Sequence, residues 1–374
     1  MSSPGSDRQR PLRYGFSTGA CAAAAALGAA TLLRERQSLA SVELELPAGF
    51  CAVFPLHGQA WTEVSATCFV VKDAGDDPDV THGVEVHAEV AWDEQHPGEI
   101  ELCAGVGIGH VTRPGLAVAV GKPAINPVPR SMILAALHSV FPQLPAERGL
   151  RVTFSIPDGE QRAERTLNAR LGIVGGLSLL GTTGVVTPLS HRAWTDTIDT
   201  ALDVARACGC DTVVGSTGRT SERRVQQELD LAEEAFVLMG DYVGYFLQAC
   251  AERGFRRVVL SLQFAKLVKI ASGHPQTHVR ASQLELAKLA EWGDDCGLDR
   301  AVVERIELAN TAREVFSLPD VQQLLLPAVV QRALDIMRDS LQGAASEIFL
   351  CDYDGERRWR FGGRPGQSSG EGGP

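Results

Sequence analysis

Residues 20–33, ACAAAAALGAATLL, restrict what this chain can become more than any other stretch. They follow Ser17-Thr18-Gly19, and a hydroxyl side chain placed just ahead of residues of the highest helix propensity predicts a capped helix. A run this short and this rich in alanine does not cross a bilayer, which takes about 20 consecutive apolar residues. The leading MSSPGSDRQRPLRYGF also lacks the apolar centre of a secretory signal. The helix is therefore assigned to a globular domain, with no membrane partner and a cytoplasmic location.

The segments after it have strand character. Residues 41–46 (SVELEL), 64–71 (VSATCFVV) and 83–90 (GVEVHAEV) alternate polar and apolar residues or cluster β-branched ones, and 131–141 (SMILAALHSVF) returns to helix. This order predicts an α+β domain over 12–145, ended where FPQLPAERG gathers proline, glycine and charge. Beyond it, 211–217 (DTVVGST) precedes a helix expected through about 250, and 257–262 (RVVLSL) precedes another helical region. Such βα alternation predicts a Rossmann-like α/β domain with a mainly parallel sheet over 146–355. Ligands bind at the carboxyl ends of the strands in such sheets, which makes Gly-Ser-Thr-Gly at 215–218 a candidate site wall. A chain of 374 residues has room for these two domains. The polar ends, 1–11 and 356–374, are expected to stay outside the fold.

Nine cysteines without a C-x-x-C pair argue against a disulfide framework or a zinc site, and no bound metal is expected. The formal net charge is -11, yet residues 8–34, 102–146, 165–195 and 253–284 contain no Asp or Glu. Cations in these stretches, including Arg113, Lys122, Arg130, Lys266 and Lys269, are expected to form a local cationic surface for a small polyanion. Without a long basic run the sequence-independent attraction to nucleic acid is missing, so nucleic acid is excluded as a partner.

Glycine concentrates in the same stretches, at Gly105, Gly107 and Gly109 and through Leu171–Gly184. Neither stretch carries the strict dinucleotide fingerprint, and no P-loop is present. Asp73, Asp76, Asp77 and Asp79 follow a strand; they suit ligand hydroxyls, an ammonium or a hard cation, or else form an Asx-rich turn. His274 and His278 lie in a loop behind Lys266 and Lys269, where a helix C-cap accounts for Gly273 and Pro275. Imidazoles there and at His82 can exchange a proton near neutral pH.

Six ordered motifs closely resemble the CbiD family: Arg13-Tyr-Gly-Phe-Ser-Thr-Gly-Ala-Cys21 with its alanines, Lys72-Asp-Ala-Gly-Asp-Asp-Pro-Asp-Val-Thr81, and Gly109–Gly115 through Gly121–Arg130. So do Leu177-Ser-Leu-Leu-Gly-Thr-Thr-Gly184, Lys266-Leu-Val-Lys269 with Thr277-His278, and Ala309-Asn-Thr-Ala312. The resemblance spans about 12–352. Leu262-Gln263, Ala265 and Thr187 depart from the family pattern, which puts a backbone-approach role near 265 in doubt.

The resemblance implies a methyl transfer from S-adenosylmethionine to ring carbon 1 of cobalt-precorrin-5B, a tetrapyrrole polycarboxylate. On that expectation Arg113, Lys122, Asn126, Arg130, Lys266 and Lys269 are assigned to the substrate, the cations through charge-assisted bonds to its carboxylates. Donor-binding roles fall to Asp73, Asp76, Asp77, Asp79, Gly172, Gly175, Gly176, Gly181, Thr182 and Thr183. His278, then His82, stands as the base. A nicotinamide-dependent corrinoid reductase and a non-catalytic corrinoid carrier remain the alternatives, and a homo-oligomer is left open as a partner state.

Overall fold

The computed structural model describes residues 12–188, 190–279, 281–282, 284–353 and 358–363, and the chain divides into two compact units, residues 1–191 and 192–374. Of the expected tails, 1–11 and 364–374 lie outside the described residues, but the C-terminal one, expected from 356, is corrected in part, because residues 358–363 form a strand paired in the second unit's sheet.

In the first unit a short strand β1 (Gly15–Phe16) leads into helix α1 (Thr18–Glu35), whose N-cap Ser17 accepts a hydrogen bond from the Ala20 N–H at 3.2 Å. Ala20 through Ala26 are wholly buried. A helix apolar on nearly all sides must be covered all round. It lies against a five-stranded sheet on one side and against α2 (Pro127–Val140) on another. Alanine allows this because a methyl group lets neighbouring backbones come close.

The strands are the hairpin β2 (Ser41–Leu46) and β3 (Phe50–Pro55), then β4 (His57–Trp61), β5 (Ser65–Val71), β6 (Glu85–Asp93), β7 (Ile100–Ala104), β8 (His110–Val111) and β9 (Gly149–Ser155). The large sheet runs β4-β5-β6-β9-β7, antiparallel except for β7 beside β9. Ala66, Cys68, Val70, Val86, Ala88, Val90, Val152 and Phe154 face the core with α1, and the intervening residues form the sheet's other face.

The boundary expected near 145 is corrected. β9 inserts between β6 and β7, and after α3 (Gly159–Ala163) the chain continues in the first unit. There β10 (Ile173–Val174) pairs with β8 and β11 (Val185–Val186) pairs with β1. Proline, glycine and charge at 142–148 mark a turn between two elements of one core.

The second unit contains α4 (His191–Ala207), β12 (Thr212–Ser216), α5 (Arg219–Glu228), β13 (Phe236–Leu238), α6 (Val243–Glu252), β14 (Arg257–Gln263) and α7 (Phe264–Ala271). It ends with α8 (Leu286–Asp295), α9 (Arg300–Leu308), α10 (Ala312–Phe316), α11 (Leu326–Leu341), β15 (Ala345–Cys351) and β16 (Arg358–Gly363). Its sheet order is β13-β12-β14-β15-β16, with β16 antiparallel and the other neighbours parallel. The single helix expected through about 250 is two helices with β13 between them. The apolar run Phe236-Val-Leu238 fits an edge position beside β12. The whole is a mixed α/β protein.

Candidate functional site

Within the first unit, the segment 109–130 is bound to the glycine-rich segment 172–184. Besides the β8–β10 pair, Ile108 bridges Leu177 and Ile125 bridges Leu179. The Asn126 N–H donates to the Leu179 carbonyl at 3.0 Å, and Thr18 Oγ1 accepts from the Leu180 N–H at 3.0 Å. These glycines are needed for close approach. A Cβ on Gly176 would come within 2.2 Å of the Gly107 backbone, and one on Gly181 within 2.4 Å of the Ser17 side chain. Gly172 has φ +77° and lies against Arg113, whereas Gly175, at φ +88°, has open space around it. Thr182 and Thr183 are exposed, and the Thr183 hydroxyl closes a local turn with Val185.

On the knitted segment, Lys122 and Arg130 are exposed, and their side chains have no hydrogen-bond or ion-pair partner among the described residues. Asn126 caps α2 without a side-chain hydrogen bond to it. Arg113 is half-buried and donates to the Arg170 carbonyl at 3.0 Å.

The aspartate loop is tied into the fold. Arg13 forks onto Asp73 and donates its backbone N–H to Asp76 at 2.7 Å. The hydrogen bond from Arg13 holds the Asp73 carboxyl down to about 2. Lys72, 1% exposed, is 2.6 Å from Asp79, which also accepts the Thr81 N–H and hydroxyl, each at 2.7 Å. Burial raises the Asp79 carboxyl, but Lys72 and Thr81 outweigh it and the group titrates below the usual range. Asp77 is half-buried. His82 Nδ1 accepts from the Ala74 N–H at 3.1 Å, which leaves Nε2 to carry the proton of a neutral ring. The Asx-turn reading accounts for most of this loop.

The described cations of 253–284 do not form an open anion site. Arg253 pairs with Asp199 and Asp203, Arg256 with Asp211, Arg257 with Glu347 and Lys266 with Asp241. Each acid comes from outside the acid-free stretch, which is why a reading along the chain misses it. Lys269, 7% exposed, donates to the Thr277 and Ser282 carbonyls at 3.0 and 2.9 Å. Burial first, and then the charge of Lys266, lowers its pKa. Asp241 organises this corner by also accepting the Thr277 hydroxyl at 2.8 Å. Burial would raise its carboxyl, but the hydrogen bonds from Lys266 and Thr277 bring it below the usual value. His278 is exposed on the same loop, its carbonyl accepting from Ala281 and Ser282. Arg280 lies outside the described residues.

At the carboxyl end of β12, Ser216 is fully buried and a Cβ on Gly215 would strike the Phe246 ring, so half of the 215–218 wall belongs to the core. Asp93, His96 and Glu101 offer ligand atoms within 4.8 Å of one another. Arg151 already bridges the two carboxylates at 3.1 and 3.2 Å, which makes the group an ion-pair network. Among the described residues no helix is long and apolar enough to cross a membrane.

A mixed α/β chain that leaves Lys122 and Arg130 uncommitted on a glycine-knitted surface has the make-up of a protein that handles a small anionic molecule. Residues 5–188 match the sequence profile of CbiD, and residues 276–361 match that of the CbiD C-terminal domain. The chain is 51% identical over 359 residues to the cobalt-precorrin-5B C(1)-methyltransferase of Geobacter metallireducens, covering 92% of this chain and 97% of the relative. It is 52% identical over 352 residues to the enzyme of that name from Geobacter sulfurreducens, with the same coverage. A crystal structure titled cobalamin biosynthesis protein (cbiD) from Archaeoglobus fulgidus is 25% identical and covers 70% of this chain and 80% of that one, with a TM-score of 0.38. The chain belongs to the CbiD family.

Proposed function

We propose that this protein is an S-adenosylmethionine-dependent methyltransferase that methylates carbon 1 of cobalt-precorrin-5B to give cobalt-precorrin-6A in cobalamin biosynthesis. The observation that carries this reading is the 51% identity, along 92% of the chain, to an enzyme of that name. The uncommitted Lys122 and Arg130 support it, because a tetrapyrrole polycarboxylate needs cations that the fold has not already neutralised. Arg113 and Asn126, on the same segment, are assigned to the same substrate, whereas Lys266, expected there, is already paired with Asp241 and is assigned to holding the 277–282 loop. Lys269 is assigned to holding the 277–282 loop, since its ammonium is buried against two carbonyls.

In the transfer, ring carbon 1 supplies the electron pair for the new bond. The pair of the sulfur–methyl bond stays on sulfur, and S-adenosylhomocysteine leaves. In-line placement of sulfur, methyl and carbon supplies much of the acceleration, with effective molarities of about 10⁵ M or more for well-oriented groups. His278, exposed and beside the Asp241 corner, is assigned as the base that removes a macrocycle proton, with His82 second. The second unit, with its four parallel strands, is read as a Rossmann-like domain of a cytoplasmic enzyme.

The test is mass spectrometry of cobalt-precorrin-5B incubated with the protein and methyl-deuterated S-adenosylmethionine. A labelled methyl mapped to carbon 1 supports the reading. Corrinoid binding without transfer identifies a carrier, and oxidation of a reduced nicotinamide identifies a reductase. Loss of about 100-fold or more in turnover in His278→Ala, with a changed pH profile, supports the base assignment; unchanged turnover removes it.

A further inference from the structure

The sheet face of the first unit that α1 does not cover holds a cleft of about 370 Å³ lined by Thr67, His87, Glu89, Val106, Thr153, Ser155 and Pro157. Strand register builds its floor. Thr67 lies opposite Glu89 and Glu89 opposite Thr153, while in the next row Phe69 lies opposite His87 and His87 opposite Ser155. The segments after β7 and β9 supply Val106 and Pro157 as an apolar wall, held by the Ile156 N–H on the Val106 carbonyl at 2.8 Å.

The cleft's hydrogen-bonding capacity is uncommitted. The side chains of Thr67, Glu89, Thr153 and Ser155 have no hydrogen-bond partner among the described residues. His87 is oriented by Glu85 at 3.0 Å and stacks on Phe69 with ring centroids 4.6 Å apart. The cleft thus combines a carboxylate flanked by two threonine hydroxyls, a third hydroxyl, a fixed imidazole and an apolar wall. That set suits a ligand with a cationic or diol end and a flat apolar end. Its volume falls within the range of small-molecule sites, about 300–1,000 Å³.

We propose that this cleft is the binding site of the methyl donor, with Glu89 accepting from the methionine ammonium or the ribose diol. The assignment rests on the methyltransferase reading, under which two ligands of opposite charge must be sorted. The acceptor is a polyanion and suits the face bearing Lys122 and Arg130. The donor carries an ammonium and a sulfonium against one carboxylate, and it suits a cleft whose charged floor residue is an acid. Thr67, Thr153 and Ser155 would hold the remaining polar atoms, and Val106 and Pro157 the adenine.

The test is calorimetric titration of S-adenosylmethionine and S-adenosylhomocysteine into the full-length wild type and into Glu89→Gln, Thr153→Val and Ser216→Ala. Loss of a charge-assisted hydrogen bond predicts affinity weaker by about tenfold or more in Glu89→Gln, and by about threefold or more in Thr153→Val. Corrinoid affinity and the thermal midpoint should stay at wild-type values, since neither side chain bonds to the fold. Ser216→Ala should bind the donor normally. Wild-type donor affinity in both cleft variants, or a loss confined to Ser216→Ala, overturns the cleft assignment while leaving the transferase reading intact. A wild type that binds corrinoid but neither donor compound, and transfers no label, overturns the transferase reading and the cleft assignment with it.

Discussion

Asp79→Asn should destabilise the first unit strongly without removing donor binding. The Lys72 ammonium is 1% exposed and 2.6 Å from Asp79, the only carboxylate paired with it among the described residues. An amide in place of the carboxylate can still accept from Thr81, but it turns a donating NH₂ toward the buried ammonium. Breaking a buried ion pair from one side costs about 3–5 kcal/mol, because the remaining charge is left without compensation. At about 2–4 °C per kcal/mol for a unit of this size, the thermal midpoint should fall by about 6–20 °C. Lys72→Met should cost less, about 1–2 kcal/mol, because Asp79 keeps its two bonds from Thr81 and is 24% exposed to water. The double variant Lys72→Met/Asp79→Asn should recover part of the loss, and thermal unfolding followed by circular dichroism across the full cycle isolates the coupling. Affinity for S-adenosylhomocysteine, measured well below the lowest midpoint, should stay within about twofold of wild type. A midpoint within about 2 °C of wild type, combined with tenfold weaker donor binding, would refute this reasoning and return Asp79 to the ligand.

Gly172→Ala should cost about 2–5 kcal/mol in urea unfolding, because it adds a methyl 2.5 Å from the Arg113 Cβ to the cost of a left-handed backbone. Gly175→Ala, left-handed but in open space, should cost about 1–2 kcal/mol, and equal losses would discount the close packing. Asp73, Asp79, Asp241 and Glu347 all titrate lower in the fold than their ordinary values of 3.8 and 4.5. Their stabilisation is therefore full above about pH 5 and is lost as pH falls through the folded values. Glu347→Gln should flatten the urea midpoint between pH 5 and 3, since Glu347 is buried between Arg257 and Arg360. Lys122→Ala and Arg130→Ala should each raise the KM for the corrinoid about three- to tenfold with kcat little changed, and the effect should shrink as salt rises.

Local pattern revealed most of the secondary structure and failed where long-range pairing decides. The capped alanine helix, the strands from 41, 65 and 85 and the helix after Pro127 follow directly from caps and periodicity. The β9 strand shows equally clear alternation. Its place between β6 and β7 is set by partners 50 to 68 residues upstream, and a proline-rich turn before it imitates a linker. β13 has three residues, too few for periodicity to separate it from the helices around it.

The candidate site was legible for a different reason in each part. Along the chain, 253–284 looks like the densest cationic stretch, yet in three dimensions Arg253, Arg256, Arg257 and Lys266 are all paired, because Asp199, Asp211, Asp241 and Glu347 arrive from other elements. The sparser 109–130 keeps its charge because glycine-rich backbone, with no acids to offer, is what packs against it. Low local acid content therefore marks an anion surface only where the spatial neighbours are also free of acid. The cleft on the open sheet face shows the converse. Thr67, Glu89 and Thr153 carry no motif and lie far apart in sequence, and only the register of β5, β6 and β9 sets them in one row. Their alternation with buried residues was visible from the start, but alternation specifies a face and not its purpose. What distinguishes them is that the fold makes no use of their hydrogen bonds, a property that exists only once every other polar group has found its partner.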